Sequence, residues 1–235
     1  MPYRRLPNTD QARLRALKAM QSKGMLVNPF ELAFSQKLFL ELQSFLPHYE
    51  QAINQYNFSK ERQAKYGKLL NDQFKSARLY ISHFIQVFNF CIARKEIKPE
   101  ARKLMGLNEN DKSVPEMGTE QQLLNIGQNL IRGEEQRMSQ GAGTRIYNPS
   151  IAVVKVQFEK FKDYYNNHKN LLVTTQKMHE KVVLLRENAD KLIVAAWNEI
   201  EAKFDDLEPQ EKRKKASDYG IVYFLRKHEK EQQTD

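Results

Sequence analysis

A single cysteine, Cys91, leaves this 235-residue chain unable to form an internal disulfide. It lies in the apolar run FIQVFNFCIA (residues 84–93), where a thiol acts as a small core residue. No apolar run approaches the roughly 18 residues that a bilayer-spanning helix needs. The opening, MPYRRLPNTDQARLR, is basic and has no apolar stretch of the kind a secretory signal requires, so a cytoplasmic protein without a membrane contact is expected.

Histidine is scarce too, with five in the chain. A carboxylate-bridged di-iron bundle needs Glu-x-x-His on two helices, so that both ligands point inward. The residues three before His48, His83, His168, His179 and His228 are Phe45, Tyr80, Tyr165, Gln176 and Leu225, so that pattern is missing. His168 and His179, if on one helix, stand about 16 Å apart, too far to share an ion. The glycines of GAGTR (residues 141–145) lack the Gly-x-x-x-x-Gly-Lys order of a phosphate loop, and no strand precedes them. No serine sits in a nucleophile elbow. Catalytic, cofactor and metal sites are therefore expected to be none.

What the chain has is apolar periodicity and positive charge. Hydrophobic residues are 40% and aromatics 10%, a globular composition. Lys and Arg number 38 against 29 Asp and Glu, a net charge of +9. Residues 1–30 hold six basic residues against one acidic, and residues 31–97 nine against six, whereas residues 98–148 and 149–206 balance. An anionic partner is thus expected to meet the first third of the chain, where Arg4, Arg5, Arg13, Arg15, Lys18 and Lys23 are the candidate polyanion-binding residues. KRKK (residues 212–215) has acids on both sides and reads as an exposed helical turn.

PNTDQARLRALKAMQSKG predicts a short helix, with Asn8 or Thr9 as N-cap, Asp10 in its first turn and Gly24 beyond its end. Asn28-Pro29 predicts the next helix start, followed by Leu38, Leu42, Phe45, Tyr49, Ala52 and Tyr56 at the alternating 4,3 spacing of a bundle seam. Pro47 falls inside and predicts a kink or a split. NFSKERQ (residues 57–63) reads as a turn. A long helix follows over about residues 60–97, carrying Leu70, Phe74, Ala77, Ile81, Phe84, Phe88 and Cys91. Phe74, Phe84, Phe88 and Phe90 are expected in the core. In the polar middle, Thr119 and Gln122 form a capping box for one helix, and GEEQRMSQGAGT reads as a flexible loop.

Then the pattern returns. Asn148-Pro149 precedes Ile151, Val154, Phe158, Phe161 and Tyr165; a turn at NNHKN or at Thr174-Thr175 follows; Met178, Val182, Leu185, Ala189, Leu192 and Ala196 continue the seam. EIKPEARK (96–103) after the first copy matches DLEPQEKRK (206–214) after the second. The expectation is an all-α protein of two tandem helical hairpins packed as an elongated four-helix bundle. Its segments are a basic arm and short helix (1–28), hairpin 1 (29–105), a linker with a short helix (106–148), hairpin 2 (149–218) and a strand-like C-terminal segment with a polar tail (219–235). YGIVYFLRK (219–227) is β-branched and aromatic, and predicts a small sheet at one end, with GMLV or TRIY as its partner.

The segment YRRLPNTDQARLRALK resembles the opening of a group of all-helical bacterial proteins of unknown function, chiefly from Bacteroidetes. The resemblance implies a helical fold and no particular activity. The role expected from the residues is non-catalytic, an interaction or scaffolding module with a protein partner; nucleic-acid binding through the basic arm is the alternative.

Overall fold

The computed structural model describes residues 3–224. Among them the order is β1 (Tyr3–Arg4), α1 (Asp10–Leu26), α2 (Gln36–Ala93), α3 (Ala101–Leu104), α4 (Glu120–Ser139), α5 (Ile151–Lys203), α6 (Pro209–Ser217) and β2 (Tyr223–Phe224). The chain is thus mostly helical, and none of these helices is long and apolar enough to cross a membrane.

The two hairpins give way to two uninterrupted helices. Residues 57–63 contain neither Gly nor Pro and are helical throughout, as are 166–170 and Thr174-Thr175. Thr174 donates its hydroxyl to the Asn170 carbonyl (2.9 Å), one turn back, and so sits inside the helix without ending it. Pro47, exposed on α2, removes one backbone donor but does not split the helix. The helices continue because the apolar register continues. Leu42, Tyr49, Tyr56, Gln63, Leu70, Ala77, Phe84 and Cys91 are spaced by sevens across the expected turn. On α5, Val154, Phe161, His168, Thr175, Val182, Ala189 and Ala196 do the same.

The chain divides into two compact units, one of residues up to Ser59 with those from Thr175 onward, the other Lys60–Thr174. Each takes one stretch of α2 and one of α5, which run antiparallel: Ser35 meets Glu199 and Tyr56 meets His179 in the first, while Tyr66 meets Tyr164 and Ser76 meets Gln157 in the second. In the first unit α1 covers this pair, and Leu17, Met20, Leu42, Tyr49, Ile193 and Trp197 form a buried core. In the second, α4 covers the pair over Ile81, Phe84, Phe88, Leu123, Leu130 and Phe161. Phe74 packs at the edge of that core, whereas Phe90 is 62% exposed, on the far side of the seam from Phe88. Cys91 is buried, and burial pushes its thiol pKa up.

Other boundaries shift for local reasons. Thr9 caps α1, accepting from the Ala12 amide at 3.2 Å, and α1 runs past Gly24, which is buried against Phe39. Asn28-Pro29 makes a turn instead of a helix start: the Glu31 amide donates to the Asn28 carbonyl and the Phe30 amide to Asn28 Oδ1. This lets Leu32, Ala33 and Phe34 enter the core before α2 begins at Gln36. α4 has both bonds of the Thr119–Gln122 capping box, but it continues through GEEQRMS, so most of the expected flexible loop is helical. Pro99 precedes α3 and Pro209 opens α6, each soon after a long helix stops. β2 pairs antiparallel with β1 (Tyr3 with Phe224, Arg4 with Tyr223), not with GMLV or TRIY. The remaining LRK of the expected strand and the polar tail lie outside the described residues.

Candidate functional site

The six basic residues singled out at the N-terminus all fall in the first unit, and the fold divides them. Asp10 and Arg13 are one turn apart on α1, facing Arg186 and Asp190, one turn apart on α5. Arg186 donates Nε and a terminal amine to the two Asp10 oxygens, both at 2.7 Å. Arg13 does the same to Asp190 at 2.7 and 2.9 Å. The Tyr49 hydroxyl donates to Asp10 Oδ1 at 3.1 Å. The Arg186 bond holds the Asp10 carboxyl below the usual carboxylate range against the opposing effect of its partial burial. Burial first, and then the Asp10 charge, pushes the Tyr49 pKa up, so Tyr49 stays the proton donor.

Arg4 is held as firmly. It donates to Asn198 Oδ1 (2.9 Å) and Glu201 Oε2 (2.8 Å) and lies 5.9 Å from the centre of the Trp197 ring. Tyr223 donates to the other Glu201 oxygen at 2.7 Å, fixing the β1–β2 ribbon at this spot. Lys18 pairs with Glu50, and Lys23 with Asp218 at 3.0 Å. Arg4, Arg13, Lys18 and Lys23 therefore neutralise acids of their own chain, which the basic-arm reading did not foresee. Arg5 and Arg15 are exposed and have no carboxylate partner among the described residues. Arg5 stacks 4.8 Å over the Phe224 ring, and its amide donates to the Val222 carbonyl.

Those two arginines line one cavity of about 480 Å³, walled by the start of α1, the segment before it, Trp197 and the β2 region. Trp197 is 1% exposed, and its Nε1–H has no acceptor among the described residues. An unmade bond of this kind costs about 1–3 kcal/mol. Sequence reasoning placed Asp10 in a first turn and Tyr49 on a seam, but gave neither of them, nor Arg186, Asp190 or Trp197, a part in a site. The first, third and fourth did leave a signal: Asp-x-x-Arg at 10–13 is charge-complementary to Arg-x-x-x-Asp at 186–190, each one helical turn long.

The second unit holds a cavity of about 580 Å³ beside the start of α4, lined by Asn71, Phe74, Tyr165, His168, Lys169 and Glu120 among others. A third, of about 560 Å³, adjoins Lys95, Glu96, Lys98, Glu100 and the loop after α4. That loop is tied down by Arg137, wholly buried, which donates to Ala142 and Thr144 carbonyls while Glu134 accepts two further bonds at 2.7 Å each. Among the described residues no three His, Cys, Asp or Glu side chains gather as a metal site would require. No family model, curated protein or solved structure matches this chain.

Proposed function

We propose that this chain is a non-catalytic, cytoplasmic interaction or scaffolding protein. The observation that carries the reading is the tip between α1 and α2. Met25 and Leu26, at the end of α1, are 63% and 84% exposed, and Phe30, on the turn braced by the two Asn28 hydrogen bonds, is 94% exposed, all within six residues. A braced turn that holds large apolar groups in water presents contact area to a protein partner with little ordering cost. Leu26→Ser with Phe30→Ser tests it. Thermal unfolding should be unchanged, because no burial is lost, while photo-crosslinking from position 30 in cells should give a discrete protein adduct that Leu26→Ser abolishes. A clearly lower melting temperature, or crosslinking no different from that at exposed Lys177, overturns the reading.

The second reading, binding of nucleic acid or another polyanion, is favoured by where the net charge lies. Lys60–Thr174 carries 19 Lys and Arg against 12 Asp and Glu, and the rest of the chain 19 against 17. Lys65, Lys68 and Lys75 are exposed and share one side of α2 by helical spacing. In a titration of DNA or RNA against salt, replacing these three by Gln should reduce the slope by about 3. An unchanged slope removes this reading.

A further inference from the structure

We infer that the cavity beside α1 binds a carboxylate carried on an apolar body. The site is independent of the apolar tip, and nothing in it depends on the interaction reading. Its chemistry follows from what lines it. Arg5 and Arg15 are the two members of the basic arm without a carboxylate among the described residues, and both stand at this one cavity. Among the described residues no acidic side chain lines it. By contrast, Glu120 stands in the wall of the cavity beside Asn71, and Glu96 and Glu100 in that beside Lys95. Two guanidiniums with no counter-charge among the described residues suit an anion, and the planar fork of arginine matches a carboxylate in two-point fashion.

The remaining wall selects the body that carries the charge. Leu6, Pro7 and Val222 are apolar, and the α1 side of the cavity is kept low by Ala12, Ala16 and Ala19, successive residues of one helix side. Small side chains there leave room of about 480 Å³, within the range of small-molecule sites. Trp197 closes the cavity with a flat apolar ring whose N–H lacks an acceptor among the described residues. A fully hydrated dianion would gain nothing from such a wall, whereas an alkyl or aryl carboxylate buries its body and leaves its charge to the arginines. A free carboxylic acid and a peptide C-terminus ending in an apolar residue share this chemistry.

Trp197 is the chain's only tryptophan, so its emission reports on this wall alone. Titration with octanoate should shift that emission saturably, and octanamide, the neutral counterpart, should not. Arg15→Gln and Arg5→Gln should each weaken octanoate binding at least about tenfold, as loss of one charged hydrogen-bonding partner does. Both side chains are exposed, so far-UV circular dichroism should match the parent chain; Lys177→Gln, away from the cavity, should bind octanoate as the parent does. A hexapeptide ending in Leu, as free acid and as amide, assigns the source. Tighter binding of the peptide acid than of octanoate marks a peptide C-terminus, the reverse order a small acid, and either supports the site. No saturable shift up to millimolar octanoate or peptide acid, equal response to octanoate and octanamide, or binding indifferent to both arginine changes overturns the proposal.

Discussion

Arg186 on α5 and Asp10 in the first turn of α1 form a two-point ion pair, 2.7 Å at each bond, and Tyr49 adds a third bond to the same carboxylate. Because Asp10 also sits at the positive end of α1, its charge is stabilised twice over. Its pKa is lowered in the folded chain relative to about 3.9 unfolded. The pair's contribution is therefore fully present above about pH 4 and is lost as pH falls through the lower folded value. Asp10→Ala should cost about 1–2 kcal/mol at neutral pH, since the pair is partly exposed. Chemical denaturation at pH 7 and at pH 2.5 checks this: the difference between parent and variant should shrink at the lower pH.

Lys95, just past the end of α2, has a φ of 62°, in the left-handed region where an L side chain is strained. Its amide donates to the Ile92 carbonyl and the next amide to Cys91, so the chain reverses here in the manner glycine normally serves. Lys95→Gly should raise stability by about 0.5–1 kcal/mol, read as a higher denaturant midpoint with an unchanged slope. A lower midpoint would mean that the lysine side chain contributes more than the strain costs.

The local features were legible and the distant ones were not. Thr119 and Gln122 announce their capping box within four residues, and Thr9 its cap within three. The seams were legible as well, yet Gln63 on α2, and His168 and Thr175 on α5, interrupt the apolar sevens with polar groups beside plausible turn residues. Each helix therefore looked like two until the register was counted across the interruption. The pairing of Tyr3–Arg4 with Tyr223–Phe224 joins opposite ends of the described chain. No short-range rule reaches that far, so a strand propensity at residues 219–224 could name a strand but not its partner. The acids that pair with four of the arm's six cations were out of reach for the same reason: Glu201, Asp190, Glu50 and Asp218 are all distant in sequence.

Two helical glycines should respond oppositely to the same change. A Cβ on Gly133 would lie 2.3 Å from the Leu104 carbonyl oxygen, and backbone cannot step aside as a side-chain tip can. Gly133→Ala should cost about 1–3 kcal/mol by forcing α4 away from α3. At Gly67 the nearest atom is His168 Nε2 at 3.5 Å, an ordinary contact. Gly67→Ala should then stabilise by up to about 1 kcal/mol, the difference in helix propensity. Paired thermal melts decide it, and a loss at position 67 would show that the close approach to His168 is tighter than a methyl group allows.

The buried Glu134–Arg137 pair makes a sharper test, because its two members are not equivalent to remove. Arg137 makes two bonds to Glu134, two to the carbonyls of Ala142 and Thr144 and one to Met138 Sδ, so it organises the turn after α4 as well as balancing a charge. Glu134→Ala leaves a buried guanidinium without its carboxylate and should cost about 3–5 kcal/mol. Replacing both, Glu134→Leu with Arg137→Met, removes the uncompensated charge and should cost less than Glu134→Ala alone, although the two carbonyls lose their donor. Hydrogen exchange separates the two contributions. In Glu134→Ala, protection should fall in α4 while the Ala142 amide, bonded to the Arg137 carbonyl, keeps most of its own. In the double variant that order should reverse, since the helix regains an apolar core and the turn loses the side chain that fastened it.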